Sequence, residues 1–260
     1  MNPRPFLLLI ALLTSLTSTP HAEVSENAVE YSTGGVTCEG LHVVDRTKSG
    51  KLPSVLIVHQ WTGVSENEKM RARMLAELGY NVFVADIYGK GIRPQPPEAG
   101  KEAGKYKTDR KIYRERLLAG LEQLRKTPQA ESGQIAAIGY CFGGTGVIEL
   151  ARSGAVVKGV VSFHGGLDSP APADGKNIKG KVLALHGADD PFVPARDLAA
   201  FEQEMKDAGV DYKLVQYPGA VHAFTQKAAG SDSIKGAAYN EAADKASWEE
   251  MRQFLDRLFK

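Results

Sequence analysis

The stretch that decides the reading is Gly139-Tyr140-Cys141-Phe142-Gly143-Gly144. A strand-like run, Gln134-Ile135-Ala136-Ala137-Ile138, leads into it. A helix-compatible run, Thr145-Gly146-Val147-Ile148-Glu149-Leu150-Ala151-Arg152, leaves it. The order is strand, very tight turn, helix. At such a turn one side chain is forced outward, and small residues must flank it because strand and helix pack almost in contact. Gly139 and Gly143 sit two positions either side of Cys141, so the pattern is G-x-C-x-G, a nucleophile elbow with sulfur in place of oxygen. The helix start behind Cys141 offers unpaired backbone N–H groups and a positive dipole end, which lower a thiol's pKa and can hold an oxyanion. Two plainer readings compete. A nucleotide-binding turn would show G-x-G-x-x-G or G-x-x-x-x-G-K-[ST], and neither spacing occurs here. A buried structural cysteine is the other, since free cysteine is often core.

Outward from the elbow, strand-like and helix-like segments alternate. Val55-Leu56-Ile57-Val58 is a short continuous apolar run, as suits a strand covered on both faces. Met70, Met74, Leu75 and Leu78 mark a helix ending at Gly79, and Val82-Phe83-Val84-Ala85 is the next strand. Residues 93–105 are rich in proline, glycine and charge and read as a surface excursion. Leu117, Leu121 and Leu124 stripe a helix before the elbow strand. Strands follow over 156–163 and 182–185, then a helix carrying Leu198, Phe201 and Met205, an alternating strand over 212–217, and a closing helix with Met251, Phe254, Leu255 and Leu258 inward. Strands alternating with helices predict an α/β fold: a mostly parallel central sheet with helices on both faces. In open sheets of this kind the site lies beyond the carboxyl ends of the strands.

Residues 1–22 do not read as part of that fold. Arg4 is followed by an apolar run from Phe6 to Leu13, too short to span a bilayer comfortably, and then by small and polar residues ending in Pro20-His21-Ala22. This is the layout of a cleaved secretory signal, against the alternatives of an uncleaved anchor or a tail. The expectation is an exported chain, periplasmic or secreted, with residues 23–260 as one domain. The formal net charge of +1 gives no hint of nucleic acid or an anionic membrane as partner. The two cysteines, Cys38 and Cys141, would be free to pair outside the cell. Cys38, however, lies in the alternating stretch over 36–44 and reads as a core residue, and a chain of 260 residues can bury an adequate core without a crosslink.

The residues just after each strand are chemically distinctive: His59-Gln60-Trp61-Thr62-Gly63, Asp86-Ile87-Tyr88, Cys141, His186-Gly187-Ala188-Asp189-Asp190-Pro191 and Pro218-Gly219-Ala220-Val221-His222. In this architecture a triad runs nucleophile, acid, histidine along the chain. Of six histidines only His222 follows the acid candidates. Cys141 is then the nucleophile, His222 the base, and a carboxylate orients the imidazole. Asp189 and Asp190 both qualify. Asp190 is preferred because Pro191 would fix the turn that lifts its carboxylate toward the histidine loop. Backbone N–H groups of Phe142 and Trp61 are the expected oxyanion hole. Gln60, Tyr88, His164 and Phe224 are candidate pocket residues, with core packing or structural hydrogen bonding as the alternative for each. Neither H-E-x-x-H nor paired-cysteine metal spacing occurs, so no metal site is expected.

Taken together, Gly139–Gly144, His186-Gly187-Ala188-Asp189-Asp190-Pro191-Phe192-Val193-Pro194 and Gly219-Ala220-Val221-His222-Ala223-Phe224 resemble the dienelactone hydrolase family of the α/β-hydrolases, as does the helix over 71–79. The resemblance implies a Cys141–Asp190–His222 triad and cofactor-free hydrolysis of an ester or lactone. Two positions depart from the family pattern. Gln60 stands where dienelactone hydrolases carry a glutamate that interacts with the resting thiol. Gln226 stands where an arginine meets the substrate carboxylate. A second family arginine would fall among Arg93, Lys101, Lys105 and Arg110. The expected function is hydrolysis of small carboxylic esters or lactones through an acyl-cysteine. A catalytically silent ligand-binding member of the same fold is the alternative, and a thiol-redox protein using Cys38 and Cys141 would lack C-x-x-C.

Overall fold

The computed structural model describes residues 22–232 and 235–260. The leader expectation for residues 1–22 thus lies, except for Ala22, outside the described residues. Eight strands form one sheet in the order β1-β2-β4-β3-β5-β6-β7-β8. β1 (Val24–Thr33) and β2 (Val36–Asp45) make an antiparallel hairpin. Its two-residue turn is Gly34-Gly35, both at positive φ, the conformation a tight hairpin turn demands. β2 runs antiparallel to β4 (Asn81–Ala85). From there the sheet is parallel through β3 (Leu52–Val58), β5 (Ala130–Tyr140), β6 (Gly159–Phe163), β7 (Lys181–Gly187) and β8 (Tyr212–Tyr217).

Strand alternation divides the core into two layers. Leu56, Val58, Phe83 and Ala85 point to one face, where they meet α2 (Glu98–Thr108), α3 (Arg110–Lys126), α4 (Phe142–Arg152) and α5 (Ala195–Asp207). Val55, Ile57, Val82 and Val84 point to the other, covered by α1 (Glu66–Glu77) and α6 (Glu241–Leu258). Each fully buried valine, leucine, isoleucine or phenylalanine here contributes about 1.5–3 kcal/mol of hydrophobic stabilisation. Cys38 lies in the first of these layers, fully buried, and both cysteines are free thiols. No helix of the described residues is long and apolar enough to cross a membrane.

The charged stretch read as a surface excursion is a helix for most of its length, α2. Ala99, Ala103 and Tyr106, at spacings of four and three, bury its inner stripe. Two alanines and a tyrosine among glycines and lysines make a faint apolar signal, and tertiary packing rather than propensity decides the helix. β1 likewise carries no apolar run to mark it, because it lies on the edge of the sheet with half of its residues open to solvent.

The helix that bears the site is anchored by buried charge. Every residue of α4 is buried. At its C-terminal end the fully buried Arg152 donates to Glu149 at 2.8 Å and to Glu204 of α5 at 2.5 Å. Arg114 of α3 closes on Glu149 at 2.9 Å. A buried guanidinium paired and hydrogen-bonded in this way locks α3, α4 and α5 in register, and removing one partner would strand the other charge.

Candidate active site

Cys141 follows β5 and caps α4 with φ 54°, a left-handed conformation that is strained for a residue with a side chain. Its neighbours leave no alternative. A Cβ at Gly143 would fall on the carbonyl oxygen of Val58, and one at Gly139 on the carbonyl of Gly143. The elbow is therefore a contact between backbones, which only glycine permits. It is held from behind as well. The N–H of Cys141 points to Phe163 O at 3.0 Å and to His164 Nδ1 at 3.2 Å, and the Tyr113 hydroxyl donates to Phe142 O at 2.7 Å.

The contact with His164 fixes that ring's tautomer. Nδ1 accepts, so Nε2 carries the proton and donates to Thr225 Oγ1 at 2.8 Å. Burial, with His222 and His186 nearby, holds His164 well below the ordinary histidine value, so it stays neutral. His164 is a clamp on the elbow rather than a wall of the pocket.

Three side chains from three strand ends converge. His222 Nε2 lies 3.1 Å from Cys141 Sγ, and His222 Nδ1 lies 2.8 Å from Asp190 Oδ2. The other oxygen of Asp190 accepts the N–H of Phe192 at 2.9 Å, within the turn that Pro191 shapes. Asp189 points elsewhere: its carboxylate accepts the N–H of Gly219 at 3.0 Å and so steadies the start of the histidine loop. The electrostatics fit a thiolate–imidazolium pair. Burial opposes the Cys141 thiolate, but the facing charge and hydrogen bond of His222, the Lys107 ammonium and the N–H of Phe142 bring the thiol below its ordinary value. Burial likewise opposes a charged His222, yet Cys141 and Asp190 push it up to about 10.

A cleft of about 1140 Å³ opens over the sulfur. Gln60, Trp61, Phe142 and His222 line it with Cys141. Tyr88, His164 and Phe224, expected to line it too, do not: all three are buried in the layer behind. Tyr88 is wedged among the rings of His59, Tyr106 and Phe142, and its hydroxyl donates to Trp61 O at 2.9 Å. Phe224 packs edge-on to His164 at 5.2 Å and against Tyr217. Their positions in the loops beyond the strand ends put them close to the site, but the large rings turn into the core, where their apolar area is removed from water.

His59 sets the remaining wall. Its Nδ1–H donates to Gln60 O at 2.6 Å, while Nε2 accepts the N–H of Ile87 at 3.1 Å. Burial lowers it to about 4, so the ring is neutral. Gln60 O also accepts Gly63 N–H at 3.1 Å. With that carbonyl held, the trans peptide directs the N–H of Trp61 to the opposite side.

Several cleft residues escaped the sequence reading. Arg71 of α1 lines it, but the guanidinium is already engaged: it donates to Asp244 Oδ1 at 2.5 Å and to Thr225 O at 3.1 Å, and lies over the Trp248 ring at 5.1 Å. Lys107 at the end of α2 and Phe192 beyond Asp190 also line the cleft. Arg71 and Phe192 lie in stretches quoted above for the family resemblance, but nothing in those stretches points their side chains at the cleft, and Lys107 belongs to the helix that composition hid. Among the described residues no cluster of three histidine, cysteine or acidic side chains is disposed to hold a metal ion.

A mostly parallel sheet with helices on both faces and a strained elbow after its central strand defines an α/β-hydrolase. Residues 39–259 match the dienelactone hydrolase family, and the chain belongs to it. A Synechocystis protein named "Putative carboxymethylenebutenolidase" is 26% identical over 226 residues, covering 81% of this chain and 88% of that one. A dienelactone hydrolase-like promiscuous phosphotriesterase from metagenomic libraries has a solved structure with 35% identity and a TM-score of 0.87, covering 91% of this chain and 99% of its own. The dienelactone hydrolase of Anabaena variabilis, at 22% identity and a TM-score of 0.61, covers 88% of this chain and 98% of its own and shares the fold.

Proposed function

We propose that the chain hydrolyses small carboxylic esters or lactones through an acyl-cysteine intermediate. The observation that carries this is the unbroken hydrogen-bonded series Asp190–His222–Cys141 at the mouth of an open cleft. In the first step Cys141 Sγ, as thiolate, forms a bond to the carbonyl carbon. The oxyanion sits between the N–H groups of Phe142 and Trp61. The bond to the leaving oxygen breaks as His222 Nε2 delivers its proton there. In the second step water, losing a proton to His222, attacks the thioester and releases the acid and the thiolate. Asp190 keeps the imidazole in the tautomer both steps need and stabilises its charged form.

The test is turnover of 4-nitrophenyl acetate with acid-quench mass spectrometry. An acetyl group should appear on the peptide that contains Cys141, and Cys141→Ala should lower turnover by about 1,000-fold or more. Parental turnover in Cys141→Ala, or acetyl on another residue, refutes the proposal. No turnover of any ester by the parent would leave a ligand-binding protein instead. A phosphotriester belongs in the same screen, because a relative of similar length is a promiscuous phosphotriesterase. Export under the direction of residues 1–22 is part of this reading, and N-terminal sequencing of the mature chain tests it.

A further inference from the structure

The cleft has an apolar feature that the triad does not use. Among the described residues, Phe192 is the one aromatic side chain of the exposed large apolar set, and it is 59% exposed. An isolated exposed apolar residue is ordinary on a protein surface. Phe192 is not isolated from the chemistry. It lines the cleft, and its ring stands edge-on to His222 at 5.4 Å with an interplanar angle of 87°. Its far edge faces Gly236, where an added Cβ would come within 3.2 Å of the ring. Its backbone N–H is held by Asp190 Oδ1 at 2.9 Å, so the turn that presents the acid also presents the ring. Met70 of α1 is the other exposed large apolar side chain lining this cleft.

His222 gives these positions a direction. The leaving oxygen must come within hydrogen-bond reach of Nε2 to receive its proton. Whatever is attached to that oxygen therefore departs along the His222 side of the cleft, past Phe192. The acyl carbon and its oxyanion lie on the opposite side, toward Trp61 and Phe142. The Arg71 guanidinium does not make a competing case for a charged leaving group here, because it is bound to Asp244.

We propose that Phe192 forms a leaving-group subsite that selects esters of apolar, preferably aromatic, alcohols. This rests on the ester-hydrolase reading above and names the alcohol half of its substrate. On release of a benzyl ester, the C–O bond to the acyl carbon breaks, the His222 proton goes to the benzyl oxygen, and benzyl alcohol leaves across the Phe192 ring. Ring-on-ring contact offers an aromatic alcohol attraction that a two-carbon chain cannot match.

The experiment compares benzyl acetate with ethyl acetate on the parent, Phe192→Ala and Phe192→Leu. Both esters yield the same acetyl-enzyme, so the ratio of their kcat/KM values reports acylation and the alcohol alone. The backbone bond to Asp190 survives both substitutions. Phe192→Ala should lower the benzyl-to-ethyl ratio about tenfold, and Phe192→Leu by less. A ratio that moves less than twofold overturns the proposal. So does a parallel fall for both esters with a shifted pH profile, which would make Phe192 a support for His222. A second arm needs no turnover: benzyl alcohol should slow alkylation of Cys141 by iodoacetamide in the parent and not in Phe192→Ala. Equal protection in both proteins overturns the subsite. Protection lost in Phe192→Ala, with no ester turned over by the parent, would uphold the subsite and refute the hydrolase reading.

Discussion

Replacing Asp190 by asparagine isolates the one charge that the histidine leans on. The carboxylate lies 2.8 Å from His222 Nδ1 and is buried, while its second oxygen is occupied by the Phe192 N–H. Asparagine can keep the shape and the bond to Phe192 but offers His222 no anion. A hydrogen bond to a charged partner is worth about 1.5–3 kcal/mol. That corresponds to about 1–2 pH units of stabilisation of the imidazolium. The direction follows from the coupled pair. His222 is pushed up to about 10 by Cys141 and Asp190 together, and its positive charge in turn draws the Cys141 thiol down. Without Asp190 the imidazolium loses its proton at lower pH. The thiol then ionises beside a neutral ring, and its midpoint rises. The assay is the rate of iodoacetamide alkylation against pH on folded protein without substrate, with thiolate absorbance as a second readout. Asp190→Asn should move the midpoint up by about 1–2 units and lower kcat by at least the matching 10- to 100-fold, more if the ring also adopts the wrong tautomer. Asp189→Asn should do little, since the Asp189 carboxylate accepts the Gly219 N–H of the turn, and an amide oxygen can accept that bond. Coincident alkylation curves for the parent and Asp190→Asn, or a larger shift in Asp189→Asn, would refute the reasoning.

Three other substitutions probe separate parts of the structure. Gln60→Glu should raise the Cys141 midpoint by adding a negative charge to the wall of the cleft. Its carboxylate would share the Ser65 hydroxyl with buried Glu68, so the effect should emerge only above the pH at which the pair holds two charges, and an unmoved alkylation curve at pH 8 would exclude control from this position. Gly143→Ala should destabilise the fold by about 3 kcal/mol or more in urea titration, because the new methyl group meets the Val58 carbonyl with no flexible side chain to give way; a stability loss under 1 kcal/mol would mean the elbow is looser than its geometry. Cys38→Ala should retain esterase kinetics and cost about 1 kcal/mol of stability as a small buried sulfur is lost, whereas loss of turnover in a folded Cys38→Ala protein would contradict the separation of the two thiols.

Much of the fold was legible because its determinants are local. Gly139 and Gly143 announce the elbow at two positions either side of Cys141, since backbone contact there excludes every larger residue. Continuous apolar strands with striped helices between them announce a parallel sheet covered on both sides, and Pro191 singles out Asp190 from its neighbour by the turn it shapes. What lies in the cleft was decided by packing between residues far apart in the chain. His164 directly follows β6, Tyr88 lies in the loop after β4 and Phe224 just beyond His222, all where site residues gather, yet their rings serve the core or clamp the elbow, because the direction a side chain takes there depends on what covers it. Arg71 reaches the cleft only with Asp244, 173 positions away, holding its charge. Lys107 arrives on a helix whose burial stripe is three residues wide, and Phe192 acquires its place beside His222 only when β7 and β8 align in register. Backbone sterics act between neighbours and can be read from a line of residues. Burial, charge pairing and ring contacts act across the sheet and exist only once it has formed.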